Sequence, residues 1–374
     1  MTAVEDVDTI VVGLGVMGGA ALAHLAADGV DCLGVEQHKV GHAFGSSHGP
    51  SRVFRLAYPD ALYVDMARAA RALWEDLEER TGLELLTMCG MVAFARSGND
   101  AFKQVLSTMD VSGVANERLD AEAVAERFPA LRVPADAEAV FTPEAGLIHA
   151  DRSVAAQVAE ARRAGARVHE GTPVTTIDAR AKRPQIQTTA GRFRCRRLVL
   201  SPGPWAPGVL VDLRLPLWVT RQEKLHFDSA RPDMSGPDRL PIYADYDAVI
   251  YGLPDHGAGL AAADDRLGAT TSPEDIDREL DPAARERMLA WMRERFPALA
   301  PTYAHGVTCM YTMTPDRDFL IGPHPANPAV LVAAGFSGHG FKFGPLVGRI
   351  IADLATTGRT DGDLSRFRLD RFAP

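Results

Sequence analysis

A glycine-rich turn near the amino terminus has the spacing that binds the phosphates of a dinucleotide. Gly13, Gly15 and Gly18 follow a short β-branched run at residues 9–12, and Glu36 ends the next apolar run. The first glycine permits a tight turn, the second lets the backbone approach a pyrophosphate, and the third lets helix and strand pack closely. An acidic residue at the position of Glu36 accepts hydrogen bonds from ribose hydroxyls. A glycine turn without a ligand is the alternative interpretation.

Three further segments combine residues that could act on a ligand. Residues 45–55 place one imidazole and two guanidiniums within eight positions, and residues 309–316 contain a cysteine and a tyrosine. Residues 335–343 form a glycine-rich loop that carries Lys342. Such a loop presents backbone N–H groups to an anionic or electron-rich ligand, and the lysine adds a positive charge.

Regular elements must hold these segments in place. A strand at residues 9–12, a helix at 20–27 and a second strand at 32–35 form the unit that places the first turn at a helix start. A buried strand at residues 198–200 runs into a turn at Gly203, as a second cofactor contact requires. The rest of the pattern predicts helices at 154–164, 282–296 and 343–355 and strands at 167–169, 172–178, 186–189, 193–195 and 330–334.

Composition argues against several classes of protein. The chain has 374 residues and a net charge of −9, which repels phosphate backbones, so we expect no nucleic-acid partner. Four cysteines are too few for a disulfide framework, and their spacing suggests no metal site. The amino terminus is acidic, unlike a secretory signal, and residues 10–30 contain too much glycine and polar material for a membrane span. We therefore expect a cytoplasmic protein that does not bind membranes.

Residues 45–55, 309–316 and 335–343 together resemble the monomeric sarcosine oxidase and N-methyltryptophan oxidase family, in the D-amino acid oxidase superfamily. The resemblance covers essentially the whole chain. It implies an α/β fold in which a Rossmann-type FAD-binding domain is interleaved with an α+β substrate domain built on a mixed, largely antiparallel sheet. The FAD-binding domain is expected at residues 1–85, 146–215 and 305–374, and the substrate domain at 86–145 and 216–304.

The cofactor that the resemblance implies is FAD, attached through a cysteine sulfur to the 8α-methyl group of the flavin. Cys309 stands at that place, although a small apolar strand residue is the alternative interpretation. Arg52, His48 and Lys342 match residues that act in catalysis, and Arg52 would stabilise negative charge on the reduced ring. A core histidine is the alternative for His48. The further cofactor contacts that the resemblance implies are Ser46, Gly203, Gly338, His339, Gly340 and Lys342.

The substrate pocket is implied by a second set of matches. Arg55 and Lys342 match the pair that holds the substrate carboxylate, because a guanidinium fork fits a carboxylate and an ammonium adds a point charge. Tyr251, Tyr311 and Asp265 match residues that line the pocket. The alternatives are an ion-paired surface arginine at Arg55 and a core aromatic residue at Tyr251.

Two positions depart from the family pattern. Ala261 replaces a lysine that promotes the reaction with oxygen, so slow reoxidation is expected unless another cation faces the flavin. Asp265, or its neighbour Asp264, replaces a histidine four residues later. That exchange changes the charge of the pocket and argues against sarcosine as the substrate.

The resemblance implies oxidation of the C–N bond of a secondary (N-methyl) or cyclic amino acid to an imine, with oxygen as acceptor and hydrogen peroxide as product. The alternatives are a flavin dehydrogenase that uses another acceptor, an imino acid oxidase of the picolinate-forming type, a nicotinamide-dependent dehydrogenase and a non-catalytic nucleotide-binding protein. Partners other than the amino acid and oxygen are not expected, and the protein is expected to be a monomer.

Overall fold

Two large β-sheets and a small third sheet organise the chain in its computed structural model, which describes residues 4–372. The strands in chain order are β1 Val4–Val12, β2 Cys32–Val35, β3 Arg52–Arg55, β4 Leu86–Thr87, β5 Met91–Arg96, β6 Glu117–Leu119, β7 Ala137–Thr142, β8 Ala145–Ile148, β9 Arg167–His169, β10 Val174–Asp178, β11 Gln185–Thr188, β12 Gly191–Leu200, β13 Trp218–Asp228, β14 Ile242–Asp245, β15 Ile250–Leu253, β16 Leu260–Asp264, β17 Thr270–Thr271, β18 Thr302–Met313, β19 Leu320–His324 and β20 Asn327–Ala334. The helices are α1 Val16–Ala27, α2 Ala61–Thr81, α3 Asp100–Val111, α4 Ala121–Arg127, α5 Ala150–Arg163, α6 Ala206–Val209, α7 Pro232–Ser235, α8 Pro282–Arg295 and α9 Gly344–Thr357.

The eight-stranded sheet has a parallel centre. Strands β20, β12, β1, β2 and β9 run parallel in that spatial order, while β10, β11 and β19 are antiparallel additions. Strands buried on both faces carry continuous apolar runs, as in Leu198, Val199 and Leu200. This arrangement, with α1 crossing between β1 and β2, confirms the predicted Rossmann-type unit.

Helix α1 is buried along most of its length. Alanine-rich sequence favours the helix, and the chain leaves it at Gly29 with φ of +77°. Small side chains such as Ala20 and Ala21 let α1 pack closely against α5 and α9. The helix start is thereby fixed at the carboxyl end of β1, where the glycine turn lies.

The nine-stranded sheet is mixed and largely antiparallel, as expected. Its strand order is β17, β13, β16, β15, β14, β5, β7, β6, and β18 pairs along β13. Among the described strands of this sheet, β14 and β5 form the one parallel pair. On β13, Leu225 and Phe227 point into an outer core that includes Met292 of α8. The alternate residues of the same strand, including Lys224, therefore point to the opposite face.

The three-stranded sheet β3, β8, β4 holds the segment that carries Arg52 and Arg55. Strand β3 pairs antiparallel with β8, so that Arg52 lies opposite Ile148 and Arg55 opposite Ala145. Helix α2 follows at once, and the Asp60 carboxylate caps it by accepting from the Leu62 N–H at 2.9 Å.

Most of the predicted elements are confirmed, with one correction. The strands predicted separately at residues 193–195 and 198–200 are one strand, β12, which pairs with β11 along its first half and with β20 along its last three residues. Sequence alternation is interrupted there because the environment changes from an antiparallel edge to the buried parallel centre. The predicted domain boundary at residue 305 falls inside β18.

None of the helices within residues 4–372 combines the length and the apolar character needed to cross a membrane.

Candidate active site

The glycine turn after β1 leaves no room for a side chain at two positions. Gly13 has φ of +87°, and a Cβ there would lie 2.3 Å from the Ser201 carbonyl oxygen. A Cβ on Gly18 would lie 1.8 Å from the carbonyl oxygen of Gly13. The N–H of Val16, the first residue of α1, donates to Ser47 Oγ at 3.1 Å. The turn therefore brings backbone and the positive end of the α1 dipole to one place.

Glu36 lies beside this turn, at the end of β2. Its carboxylate accepts from the N–H of Leu14 at 2.8 Å and from the N–H of His38 at 3.0 Å, and His42 Nε2 lies 3.4 Å away. Burial works against ionisation, but the hydrogen bonds from His42, Leu14 and His38 outweigh it and lower the pKa of Glu36. The carboxylate is thus ionised and able to accept further hydrogen bonds from a ribose.

Two adjoining cavities extend from the turn. Their volumes are about 480 Å³ and about 240 Å³, and Gly15, Ser46, His48 and Gly203 line both. The Ser46 hydroxyl and His48 Nε2 are buried and have no hydrogen-bond partner among residues 4–372. Burial and the charge of Arg52 lower the pKa of His48 to about 4, so its ring is neutral at pH 7. FAD fits these two adjoining cavities, because a glycine turn can hold its phosphates and because buried polar atoms there lack partners within residues 4–372.

The main cavity brings together most of the predicted site residues. It is lined by Gly15, Ser46, His48, Arg52, Arg55, Gly203, Tyr251, Asp265, Cys309, Tyr311, Gly338, His339, Gly340 and Lys342. Gly13 and Glu36 line the smaller cavity. Gly18 lines neither, because its place is in the contact between α1 and the turn. Asp264 is paired with Arg266 at 2.7 Å, so Asp265 is the carboxylate that borders the cavity.

Arg52 ties the loop before β3 together. Its guanidinium donates to the carbonyl oxygens of Ser51 at 2.9 Å, Ser46 at 2.9 Å and His48 at 2.6 Å. It also lies 5.5 Å from the centre of the Phe341 ring. Within residues 4–372 its hydrogen-bond partners are all carbonyl oxygens, so the positive charge remains available to the cavity.

Arg55 and Lys342 meet at Tyr58. The Arg55 guanidinium donates to the Ala57 carbonyl and lies 4.5 Å from the centre of the Tyr58 ring. Lys342 Nζ donates to the Tyr58 hydroxyl and to the His339 carbonyl, each at 2.9 Å. Burial, reinforced by Arg55, holds the pKa of Lys342 well below its usual range. An anion that bound here would restore the ammonium, which makes this corner a carboxylate site.

Asp265 faces this positive corner. Burial raises the pKa of its carboxyl group, while Arg55, Arg317 and Lys342 act in the opposite direction. Tyr251 lines the cavity nearby, and burial followed by the charge of Asp265 raises its pKa to about 12. The cavity thus offers cations for a carboxylate and, beside them, one acidic group for an amine.

Cys309 lies on β18 opposite Gln222 of β13 and lines the main cavity. Burial raises the pKa of its thiol, although Arg52 and Lys224 oppose that shift. The other three cysteines, at positions 32, 89 and 195, line neither cavity.

The loop after β20 wraps over the same cavity. Gly338 has φ of +83°, and a Cβ there would lie 2.5 Å from the Tyr311 ring. The His339 ring packs at a tilt against Phe319, with 4.7 Å between ring centres, and burial together with Lys342 lowers its pKa to about 3. His339 is therefore neutral, and the glycines allow the loop backbone to approach the cavity.

Sequence reasoning missed Lys224 and Arg317, which both line the main cavity. The signal at Lys224 was its alternation with the apolar residues Leu225 and Phe227, which placed a lysine on an inward face. Ala261 lies on the same face, opposite His226, but does not line the cavity. This chain therefore lacks the family lysine at Ala261 but has another lysine, Lys224, on the neighbouring strand.

Comparisons with known proteins agree with this geometry. Residues 8–354 match the family model for FAD dependent oxidoreductases, DAO. The chain is 38% identical to monomeric sarcosine oxidase of Streptomyces avermitilis, covering 98% of both chains. It is 30% identical to the human peroxisomal sarcosine oxidase, covering 100% of this chain and 98% of that one. It is 28% identical to the N-methyl-L-tryptophan oxidase of Yersinia pestis, covering 98% and 100%.

Solved structures show the same fold. NikD, described as an unusual amino acid oxidase essential for nikkomycin biosynthesis, superposes with a TM-score of 0.87 at 26% identity over 97% of each chain. L-proline dehydrogenase from P. horikoshii has a TM-score of 0.88 at 21% identity, over 99% of this chain and 98% of that one, and supports the fold alone. The dinucleotide is FAD rather than a nicotinamide cofactor, and the chain belongs to the FAD-dependent oxidoreductase family, in the group of monomeric sarcosine and N-methyltryptophan oxidases.

Proposed function

We propose that the protein oxidises the C–N bond of a small amino acid with a secondary or cyclic amine, giving an imine. The observation that carries this proposal is the meeting of Arg55, Lys342 and Asp265 at one corner of the FAD cavity. The names of the relatives, sarcosine oxidase and N-methyl-L-tryptophan oxidase, support N-methyl amino acids as the substrate class.

In this proposal the chain binds and orients the substrate. Arg55 and Lys342 hold the carboxylate, and Asp265 accepts a hydrogen bond from the amine nitrogen, so that the α-carbon is turned toward the ring of the cofactor. FAD, when bound, supplies the acceptor for the hydride. Tyr251 and Tyr311 form an apolar wall with polar tips that excludes water from the reacting carbon.

The carboxylate of Asp265 favours substrates whose amine nitrogen donates an N–H hydrogen bond to it. A carboxylate among cations suits a bound zwitterion better than a neutral pocket does, because the substrate presents both charges. We propose N-methyl and cyclic amino acids of this kind as the substrates.

The experiment is a panel of N-methyl and cyclic amino acids mixed with the holoenzyme without oxygen. A substrate bleaches the flavin absorbance, and subsequent admission of oxygen restores the colour and releases hydrogen peroxide. Bleaching by none of the panel would overturn the proposed substrate class. Bleaching followed by no recovery in oxygen would instead favour the dehydrogenase alternative that uses another acceptor.

We also propose that FAD is bound covalently to Cys309. Support comes from its position on the cavity wall, where burial raises the pKa of the Cys309 thiol and the positive charges of Arg52 and Lys224 oppose that rise. Acid precipitation of the wild type is expected to leave the yellow colour in the pellet, whereas Cys309→Ser is expected to release it. A flavin peptide that maps to any other cysteine would contradict this assignment.

The predicted division into FAD-binding and substrate domains remains a proposal, with one modification. We propose that the substrate domain extends through β18, since that strand pairs along β13. Limited proteolysis that cuts near residue 215 and near residue 315 would support this revised boundary.

A further inference from the structure

Lys224 lies on the face of the nine-stranded sheet that lines the main cavity. It pairs with Val307 of β18 on one side and with Ala263 of β16 on the other. Cys309 is two residues along β18 from Val307, on the same face. The side chain is 9% exposed and its ammonium reaches the loop before β3.

The ammonium of Lys224 has only neutral hydrogen-bond partners. Nζ donates to the Ser51 carbonyl oxygen at 3.1 Å and to Ser51 Oγ at 3.3 Å. Arg52 donates to the same carbonyl oxygen. Within residues 4–372 no carboxylate lies within ion-pair distance of Lys224 or Arg52. Two cations therefore share one carbonyl in the cavity wall without a bonded counter-charge, an arrangement that is costly unless an anion is brought to it.

The surroundings of Lys224 are mostly positive or neutral. Burial, and after it the charge of Arg52, lower the pKa of Lys224 to about 7. Among the described residues 4–372, Asp151 is the carboxylate that acts on it, and its oxygen already accepts from the Gly49 N–H at 2.7 Å. The titratable and charged groups that face Lys224 are Arg52 on β3, Cys309 on β18, His226 on β13, Asp151 at the start of α5, and His48 and His256 in loops.

We infer that Lys224 compensates, from the cavity wall, for the negative charge that the ring of FAD gains on reduction. Two electrons that arrive on the ring make it electron-rich, and a fixed cation in a water-poor cavity stabilises that charge strongly. A lysine whose proton affinity is poised near neutrality takes up a proton when negative charge appears beside it. The inference rests on FAD binding and is independent of the proposed substrate.

The test compares variants of the holoenzyme by two properties of the flavin that need no substrate. The first is the dissociation constant of sulfite, which adds to oxidised flavins and leaves the ring anionic; the second is the midpoint potential as a function of pH. Lys224→Gln retains a hydrogen-bond donor toward Ser51 and removes the charge. We expect sulfite binding to weaken by about tenfold or more and the midpoint potential to fall at and below neutral pH.

Three further variants complete the test. Lys224→Arg keeps the charge and is expected to bind sulfite as the wild type does, while Lys224→Met is expected to behave like Lys224→Gln. Lys182→Met removes one exposed lysine outside both cavities and is expected to change neither property. If Lys224→Gln binds sulfite as the wild type does and has an unchanged midpoint potential, the inference is overturned. Lys224 would then only stabilise the position of Ser51.

Discussion

Single residues in this site depend on partners that are far away in the chain. Lys342 and Tyr58 are separated by 284 positions, yet the ammonium of one donates to the hydroxyl of the other. Tyr58 in turn lies under the Arg55 guanidinium. The carboxylate corner therefore holds Arg55 and Lys342 beside one neutral phenol, and within residues 4–372 neither of them forms an ion pair with a carboxylate.

Removal of one of these cations tests the carboxylate corner. Arg55→Ala is expected to lower kcat/KM by roughly ten- to a hundredfold or more, because a hydrogen bond to a charged group contributes about 1.5–3 kcal/mol. The loss is expected to be much smaller for an amine that lacks the carboxylate. Steady-state kinetics on both compounds measure it, with the exposed Arg359→Ala as the matched control. Equal losses on both compounds would show that Arg55 supports structure instead.

The residues of the glycine turn could be predicted from their local spacing, whereas the pair Arg55 and Lys342 was implied by short motifs that resemble those of a known family. Lys224 could not, since its role depends on strand register. Only the pairing of Lys224 with Ala263 and Val307 shows that it shares a face with Cys309. Likewise, the sequence shows that Ala261 stands where the family has a lysine, but it cannot show that Lys224 lies on the neighbouring strand.

At the scale of elements, the contact between α1 and β1 decides whether the cofactor cradle forms. Gly18 allows the first turn of α1 to contact the backbone of Gly13. Gly348 allows α9 to approach α1, because a Cβ added at Gly348 would lie 2.5 Å from the Cβ of Ala20. Backbone atoms cannot move aside as flexible side chains do. The cradle is thus sensitive to the addition of a single methyl group.

Gly18→Ala is expected to destabilise the protein by about 1–3 kcal/mol and to reduce the FAD content, because overpacking against backbone has no easy relief. Denaturant unfolding and the ratio of flavin to protein absorbance measure the two effects. Gly208→Ala in α6 is the control, since no atom lies within 4 Å of the added Cβ. Retention of full stability and flavin in Gly18→Ala would contradict the close contact.

Several elements were predictable from periodicity, and one was divided wrongly. The helices at α5, α8 and α9 have clear starts and stops, such as Pro282 at the beginning of α8 and Gly358 after α9. Strand β12 was split in two because its apolar pattern changes where its neighbour changes from β11 to β20. The pattern of apolar residues in a strand reflects which side chains are buried. In a sheet, burial depends on neighbouring strands that are distant in the sequence.

Across the whole molecule, buried histidines are held neutral. Burial is the first cause in each case and lowers the pKa to about 4 for His24, His48, His226 and His256. His24 lies on α1, His226 lies on β13 of the nine-stranded sheet, and His48 and His256 lie in loops. Protonation of any of them therefore disfavours the folded state.

This gives the protein a defined response to acid. Between the ordinary histidine pKa of 6.5 and about 4, the unfolded chain binds protons that the folded chain does not, so stability falls as pH falls through this window. Each such group contributes up to about 1.4 kcal/mol per pH unit. The melting temperature over this range measures the effect. In His24→Gln, whose amide can still donate to the Pro345 carbonyl, the dependence is expected to be shallower. An identical slope in this variant would contradict the assignment to His24.

Cys309 and the glycine turn lie in different sheets, the first on β18 of the nine-stranded sheet and the second at the end of β1 in the eight-stranded sheet. A cofactor cradled by one and tethered to the other joins the sheets as a cross-link does. Free ligand stabilises a protein by mass action, by about 2.7 kcal/mol at a hundred times its Kd, whereas a tethered ligand has no concentration to vary. With the proposed linkage, the wild-type Tm is expected to ignore added FAD, and the Tm of Cys309→Ser is expected to rise with it. A wild-type Tm that climbs with free FAD would show that the two sheets are not tied together in this way.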